Sequence, residues 1–215
     1  MRRNQAPALP PVLQAQGLGF AYPERALFAD LSMALMPGVT LVRGGDGSGK
    51  TTLLRLLAGV LPLQAGTLRI KGAALHAAPA AYRQHLFWAE PRSEAFDQIS
   101  ALAYFESLRG AYPAWDQRVL AELIAGLALA PQIDKPLYML STGSKRKVWL
   151  AAAFACGAAV TLLDQPFAAL DKASINFLLE RLAAIIRAQD GRAWVIADYA
   201  APDGLALAGR IALAD

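Results

Sequence analysis

A glycine-rich segment that ends in a basic and a hydroxyl residue is the first place where this sequence indicates chemistry. Residues 44–52 read GGDGSGKTT and fit the spacing G-x-x-x-x-G-K-[ST]. In such a segment the backbone N–H groups turn inward around phosphate oxygens, and the dipole of the following helix favours the anion. Lys50 would place a positive charge beside the outer phosphates, and the Thr51 hydroxyl can ligate Mg²⁺. The predicted phosphate-contacting residues are Gly44, Asp46, Gly47, Ser48, Gly49, Lys50, Thr51 and Thr52.

A run of apolar residues that ends in an aspartate supplies a second part of the same site. Residues 161–164 read TLLD, which is typical of a buried strand whose Asp164 holds a metal ion directly or through water. Thr51 and Asp164 are therefore the predicted Mg²⁺ ligands. The next residue, Gln165, is an amide, which can hydrogen-bond a water molecule but cannot accept its proton.

Strands and helices alternate along most of the chain, which predicts a mostly parallel sheet with helices on its faces. Hydrophobic periodicity and turn residues predict strands at 18–22, 27–35, 39–43, 66–72, 85–89, 160–164, 193–197 and 210–214. The same patterns predict helices at 51–59, 116–130, 145–155 and 174–189. The stretch from about 91 to 157 is predicted to be a helical lobe that interrupts the sheet.

Composition restricts the class of protein further. The 215 residues are 55% hydrophobic and 18% charged with a net charge of +4, which allows a sizeable core and gives only weak support for nucleic-acid binding. The most apolar run, 148–163, is shorter than the roughly 20 residues that span a membrane. The N-terminus has no apolar stretch after its arginines, so we expect no signal peptide. The single cysteine, Cys156, excludes an internal disulfide and favours the cytosol.

A third motif narrows the class of nucleotide-binding protein. Residues 140–147 read LSTGSKRK and resemble the LSGGQ signature of ATP-binding-cassette (ABC) ATPases, with matches at Leu140, Ser141 and Gly143 and departures at Thr142 and Ser144. The motif follows the glycine-rich segment and precedes Asp164, which is the order that the family uses. FAALD at 167–171 resembles the D-loop of that family. Tyr22 resembles its aromatic residue that stacks on adenine, and the alternative is an aromatic that faces the core.

Over residues 12–214 the chain resembles ABC transporter ATPases, and within that family it resembles the ATPase subunits of ABC-2 type exporters and of haem exporters. The resemblance implies one domain over 1–215 with an α/β, P-loop NTPase fold of the ABC-ATPase type. Such a fold has a mostly parallel sheet core, an antiparallel β subdomain and an inserted helical lobe. The resemblance also implies that ATP and Mg²⁺ bind at the interface of a homodimer or heterodimer, where Ser141 and Gly143 reach the partner's nucleotide. It further implies separately encoded transmembrane permease subunits and a cytoplasmic location at the inner face of the cell membrane.

Three positions depart from the family pattern around the terminal phosphate, and all three are candidate catalytic residues. The family's Q-loop glutamine aligns with Glu90, its carboxylate after the metal-binding aspartate aligns with Gln165, and its switch histidine aligns with Asp198. The chain has no histidine after His85, so none can take the switch position. For Glu90 and Asp198 the alternative is a solvated carboxylate at the end of a strand.

Two functions therefore stay open. The first is a transporter subunit that couples ATP binding and hydrolysis to membrane transport. The second is a degenerate ATP-gated clamp that binds ATP with negligible hydrolysis, because Gln165 cannot act as a general base. DNA-repair and chromosome-maintenance relatives of the family need long coiled-coil insertions, and the sequence has no heptad run, so we expect no nucleic-acid partner.

Overall fold

The computed structural model describes residues 10–90 and 93–214, and within them the strands form two sheets of different kinds. The strands are β1 (Leu13–Tyr22), β2 (Arg25–Leu35), β3 (Gly38–Arg43), β4 (Ala65–Ile70), β5 (Ala73–Ala74), β6 (Leu86–Trp88), β7 (Val160–Asp164), β8 (Ala193–Asp198) and β9 (Gly209–Ala212). Four of them form an antiparallel sheet in the order β2-β1-β4-β5. The other five form a parallel sheet in the order β6-β7-β8-β3-β9.

The parallel sheet brings three functional segments to one edge. All its strands run in the same direction, so their carboxyl ends lie together, which is where open α/β sheets bind ligands. Asp164 ends β7, Asp198 ends β8, and Arg43 at the end of β3 leads into the glycine-rich segment. The register pairs Arg43 with Asp198 and Asp164 with Ala197, which fixes the three strand ends beside one another.

Helices follow the strands and cover the parallel sheet. They are α1 (Lys50–Leu57), α2 (Pro79–Gln84), α3 (Ala101–Ala111), α4 (Gln117–Gly126), α5 (Thr142–Ala155) and α6 (Lys172–Ala188). Four of them begin at a serine or aspartate whose side chain accepts hydrogen bonds from the first turn, which satisfies N–H groups that have no partner in the helix. These N-caps are Ser100, Asp116, Ser141 and Asp171.

Two apolar clusters lie on opposite faces of the parallel sheet. On one face Trp194 and Ile196 of β8 pack with the buried sides of α3, α4, α5 and α6. On the other face Val195 and Ala197 pack with α1 and with the inner side of the antiparallel sheet. The alternation of side chains along a strand explains this division, because neighbouring residues of one strand point to opposite faces.

The structure confirms the fold class and shifts several element boundaries. The helix predicted at 116–130 ends at Gly126, and Ala128 takes a left-handed conformation with φ of 53° before a short 3₁₀ turn at Ala130–Gln132 that contains Pro131. The helix predicted at 145–155 begins earlier, at Thr142, because Ser141 caps it. Among residues 10–90 and 93–214, no helix combines the length and apolar character needed to cross a membrane.

Candidate nucleotide-binding site

The glycine-rich segment forms a tight loop between β3 and α1. Gly49 is the N-cap of α1 with φ of 95°, a left-handed conformation that glycine adopts without a steric penalty. Gly44 has a different reason to be glycine, because a Cβ atom there would lie 2.3 Å from Oγ of Ser48. The loop therefore folds back so closely that Ser48 leaves no room for a side chain at Gly44.

Lys50 is held at the centre of this loop. Its Nζ donates to the carbonyl oxygens of Gly44 at 2.7 Å and Gly45 at 2.6 Å, while the residue is only 7% exposed. Two of its three N–H donors are thereby fixed on the loop, so the third can reach an anion bound inside it. The buried hydroxyl of Ser48 has no protein partner among the described residues. A buried ammonium and an unpaired hydroxyl on one loop fit a phosphate group.

Thr51 and Asp164 meet at the same place, although 113 positions separate them in the chain. Oγ1 of Thr51 donates to Oδ2 of Asp164 at 2.6 Å. Burial raises the pKa of the Asp164 carboxyl, and the hydrogen bond from Thr51 and the charge of Lys50 act in the opposite direction. Two adjacent hard oxygen donors fit Mg²⁺, which binds few protein ligands and takes the rest from phosphates and water. In the described part of the chain no group of three or more histidine, cysteine or acidic side chains forms a larger metal cage.

These residues line an open cleft of about 760 Å³. Its other walls include Tyr22, Arg25, Arg55, Glu90 and Gln165. Tyr22 is 40% exposed, its hydroxyl lies 3.3 Å from Oγ1 of Thr52, and Phe20 supports its ring edge-on at 5.0 Å between centroids. The alternative that Tyr22 faces the core is therefore wrong, and stacking on an adenine ring remains its predicted role.

Gln165 lies at the cleft wall in a conformation that is unusual for its residue type. Its φ is 44°, and non-glycine residues in the left-handed region carry a cost of about 1–3 kcal/mol. The backbone N–H of Gln165 donates to the carbonyl oxygen of Ala197 at 2.9 Å, which ties the residue to the end of β8. Strain of this kind is held by the surrounding structure and is frequent at functional sites. The side chain therefore follows Asp164 into the cleft from a fixed backbone position.

Glu90 lines the cleft, whereas Asp198, at the end of β8, is not among the residues that line it. Glu90 Oε1 lies 3.4 Å from Nε of Arg55 in an ion pair whose side chains are 37% and 39% exposed, so a solvated carboxylate stays the alternative to a catalytic role. Oδ1 of Asp198 accepts a hydrogen bond from the backbone N–H of Tyr199 at 2.8 Å. Tyr199, one residue further on, is the side chain that contacts the phosphate loop. Catalytic roles for Glu90, Gln165 and Asp198 stay predictions.

The signature residues lie at the N-terminus of α5. Oγ of Ser141 accepts from the backbone N–H of Ser144 at 3.2 Å, and Ser141 is exposed. Gly143 has a packing reason to be glycine, because a Cβ atom there would lie 2.5 Å from the carbonyl oxygen of Ala169. The α5 N-terminus thus packs against residues 167–171, and contact with a partner's nucleotide remains the prediction for Ser141 and Gly143.

Sequence reasoning missed three arginine side chains that line the cleft and a tyrosine that contacts the phosphate loop. Arg25 donates to the carbonyl oxygen of Gly47 at 3.0 Å, Arg55 pairs with Glu90, and Arg146 donates to the carbonyl oxygen of Ala168. Tyr199 is the fourth. Only Arg146 had a signal, since it belongs to the basic residues that follow the signature motif. Arg25 and Arg55 reach the cleft, and Tyr199 reaches the phosphate loop, through tertiary packing that local spacing does not reveal.

A glycine-rich loop between a parallel strand and a helix, with its lysine buried and its threonine bonded to the aspartate of a neighbouring strand, defines a P-loop nucleoside triphosphatase. The sequence model described as "ABC transporter" matches residues 28–168. The chain belongs to the ABC transporter family, as one of its ATP-binding ATPase subunits.

Curated relatives agree with this family, and solved structures agree with the fold. The chain is 35% identical over 173 residues to "Cytochrome c biogenesis ATP-binding export protein CcmA" of Escherichia coli (strain K12), covering 80% of this chain and 82% of that protein. It is 40% identical over 190 residues to the protein of the same name from Rhodospirillum rubrum, covering 86% of this chain and 79% of that protein.

A structure described as "Structure of ATP binding subunit of ABC transporter" superposes with a TM-score of 0.78 at 20% identity, covering 87% of this chain and 79% of that one. A structure described as "Putative ABC transporter (ATP-binding protein)" from Pyrococcus furiosus superposes with a TM-score of 0.74 at 20% identity, covering 94% of this chain and 96% of that one. At such identities the likeness supports the fold alone.

Proposed function

We propose that this ATPase subunit binds Mg-ATP in the described cleft and drives an export process of the kind named for its curated relatives. The observation that carries the proposal is the hydrogen bond from Thr51 to Asp164 beside the buried Lys50, because it unites both phosphate-site motifs in one place. Lys50 would neutralise the outer phosphates, and Thr51 and Asp164 would hold Mg²⁺. The bound ion would supply charge neutralisation at the phosphates.

The exposed signature serine supports an assembly of two such chains. Ser141 caps α5 at an exposed position, so its hydroxyl and the helix N-terminus can face an anion on another molecule. In the proposed assembly each nucleotide lies between the phosphate loop of one chain and Ser141 and Gly143 of a second, identical or homologous chain. Closure of the pair around ATP would move separately encoded membrane permease subunits, which would hold this chain at the cytoplasmic face of the membrane.

The alternative of a clamp without turnover receives no specific support from the comparisons. This alternative rests on Gln165, because its amide at the cleft wall cannot accept a proton from water. The remaining electrostatic contributions of Lys50, the loop N–H groups and Mg²⁺ do not depend on that residue. We therefore place Gln165 as a residue that sets the turnover rate of the ATPase.

Nucleotide binding tests the proposal directly. Lys50→Met keeps the buried aliphatic stem and removes the charge, so it is expected to reduce Mg-ATP affinity at least about a hundredfold, the scale of a lost charge-assisted contact. Isothermal titration calorimetry measures the affinity. Lys135→Met is the matched control, because Lys135 is an exposed lysine that does not line the cleft. Equal ATP affinity in both variants would overturn the assignment of the phosphate site.

A further inference from the structure

Tyr199 lies between the two strands that carry the nucleotide motifs. It directly follows β8, and β8 is flanked in the sheet by β7, which ends at Asp164, and by β3, which leads into the phosphate loop. This order places Tyr199 between Gln165 on one side and the glycine-rich segment on the other. Its side chain is 47% exposed, so the position is not one of core packing.

Two contacts direct the phenol ring to the phosphate loop. The ring centroid lies 4.6 Å from Nζ of Lys50, and the hydroxyl donates to Oδ1 of Asp46. The side chain of Gln165 is close enough to interact with the same hydroxyl. One exposed side chain therefore touches the buried lysine and an acidic residue of the loop, and it lies near the residue that follows Asp164.

The chemistry of the hydroxyl suits an anion. The hydrogen bond to Asp46 raises the pKa of the Tyr199 phenol, so the hydroxyl stays protonated and neutral at physiological pH. A neutral O–H donor can bond to a phosphate oxygen without charge repulsion. The adjacent Asp198 carboxylate would repel the same phosphate, and it is already engaged with the backbone N–H of Tyr199.

We propose that Tyr199 is a specificity-determining residue that distinguishes nucleoside triphosphates from diphosphates, an inference that rests on the proposed function of the cleft. Its hydroxyl transfers its hydrogen bond from Asp46 to the terminal phosphate, which lies beside Lys50 and Gln165. A diphosphate is held by the loop N–H groups and does not extend to that point. The bond therefore adds affinity for the triphosphate alone, and the ring stays over Lys50.

Tyr199→Phe isolates the hydroxyl, because it keeps the ring over Lys50. Calorimetry with a non-hydrolysable ATP analogue and with ADP, both with Mg²⁺, gives the two affinities. The analogue is expected to bind about tenfold or more weakly, as for the loss of a hydrogen bond to a charged group, while ADP affinity changes less than about twofold. Tyr138→Phe removes the hydroxyl of an exposed tyrosine that does not line the cleft and is the matched control.

Each other outcome overturns the proposal. Equal weakening of both nucleotides would show that Tyr199 only shapes the loop, and stronger binding of both would show that its bond to Asp46 opposes nucleotide entry. Unchanged binding of both would show that the hydroxyl does not meet the phosphate. Melting temperatures measured without nucleotide verify that the variants are folded. Failure of the unmodified protein to bind either nucleotide would instead refute the proposed function of the cleft.

Discussion

Replacing Gln165 by glutamate asks whether the cleft lacks only a proton acceptor. The two side chains have the same length and shape, and the backbone of residue 165 is held by its N–H bond to Ala197 with φ of 44°. The substitution therefore changes the charge and basicity while leaving the geometry in place. A positioned general base contributes about 10²- to 10⁴-fold to the rate, or about 2.7–5.5 kcal/mol of activation free energy.

Neighbouring carboxylates reduce this gain. The new glutamate would stand next to Asp164, and two unit charges about 6 Å apart in an effective dielectric near 20 repel by about 2.8 kcal/mol. Mg²⁺ held by Asp164 would cancel part of that repulsion. Subtraction of the full repulsion leaves about 0–2.7 kcal/mol, and the cancellation by Mg²⁺ moves the gain into the upper half of that interval, so we expect turnover to rise by about 10- to 100-fold.

A phosphate-release assay at saturating Mg-ATP measures the change. Gln189→Glu is the matched control, because Gln189 also has a left-handed φ of 49° but lies at the end of α6 and does not line the cleft. No increase in Gln165→Glu, or an equal increase in Gln189→Glu, would refute the reasoning. Another group would then accept the proton, and Asp198→Asn and Glu90→Gln would each be assayed for loss of turnover.

Three further variants have defined outcomes. Ser141→Asp keeps an N-cap on α5 but adds a negative charge, so size-exclusion chromatography is expected to show lost ATP-dependent dimerisation with ATP binding retained, whereas Ser100→Asp on α3 leaves dimerisation intact. Glu90→Gln frees Arg55 beside the cleft and is expected to tighten Mg-ATP binding about two- to fivefold in low-salt calorimetry, with the difference shrinking as salt increases. Asp164→Asn is expected to raise the melting temperature without nucleotide at neutral pH. Burial raises the pKa of the Asp164 carboxyl, so its ionised form destabilises the folded protein at pH values above that pKa. The gain in melting temperature should therefore disappear at a pH below the usual pKa range of an aspartate. An equal gain at neutral pH and at that low pH would contradict this account.

The sequence by itself determined the parts of this protein that depend on local chain chemistry. Gly49 adopts a left-handed conformation before Lys50, and the glycine-rich motif at 44–52 alone is enough to predict this loop. The strand at 160–164 matched its predicted bounds, since a short apolar run closed by an aspartate has few other structures available. The amide of Gln165 directly after Asp164, and the absence of histidine after residue 85, are likewise read directly from the sequence.

Only the tertiary structure decided which side chains meet. Tyr199 reaches Lys50 because β8 lies between β7 and β3, and that strand order comes from long crossovers that hydrophobic periodicity does not encode. Arg55 of α1 likewise meets Glu90, which follows β6, although 35 positions separate the two residues along the chain. Spacing along the chain specified the loop and the strands. The identity of the side chain that lies against Lys50, Tyr199 and not Asp198, depended on the direction in which the chain leaves β8.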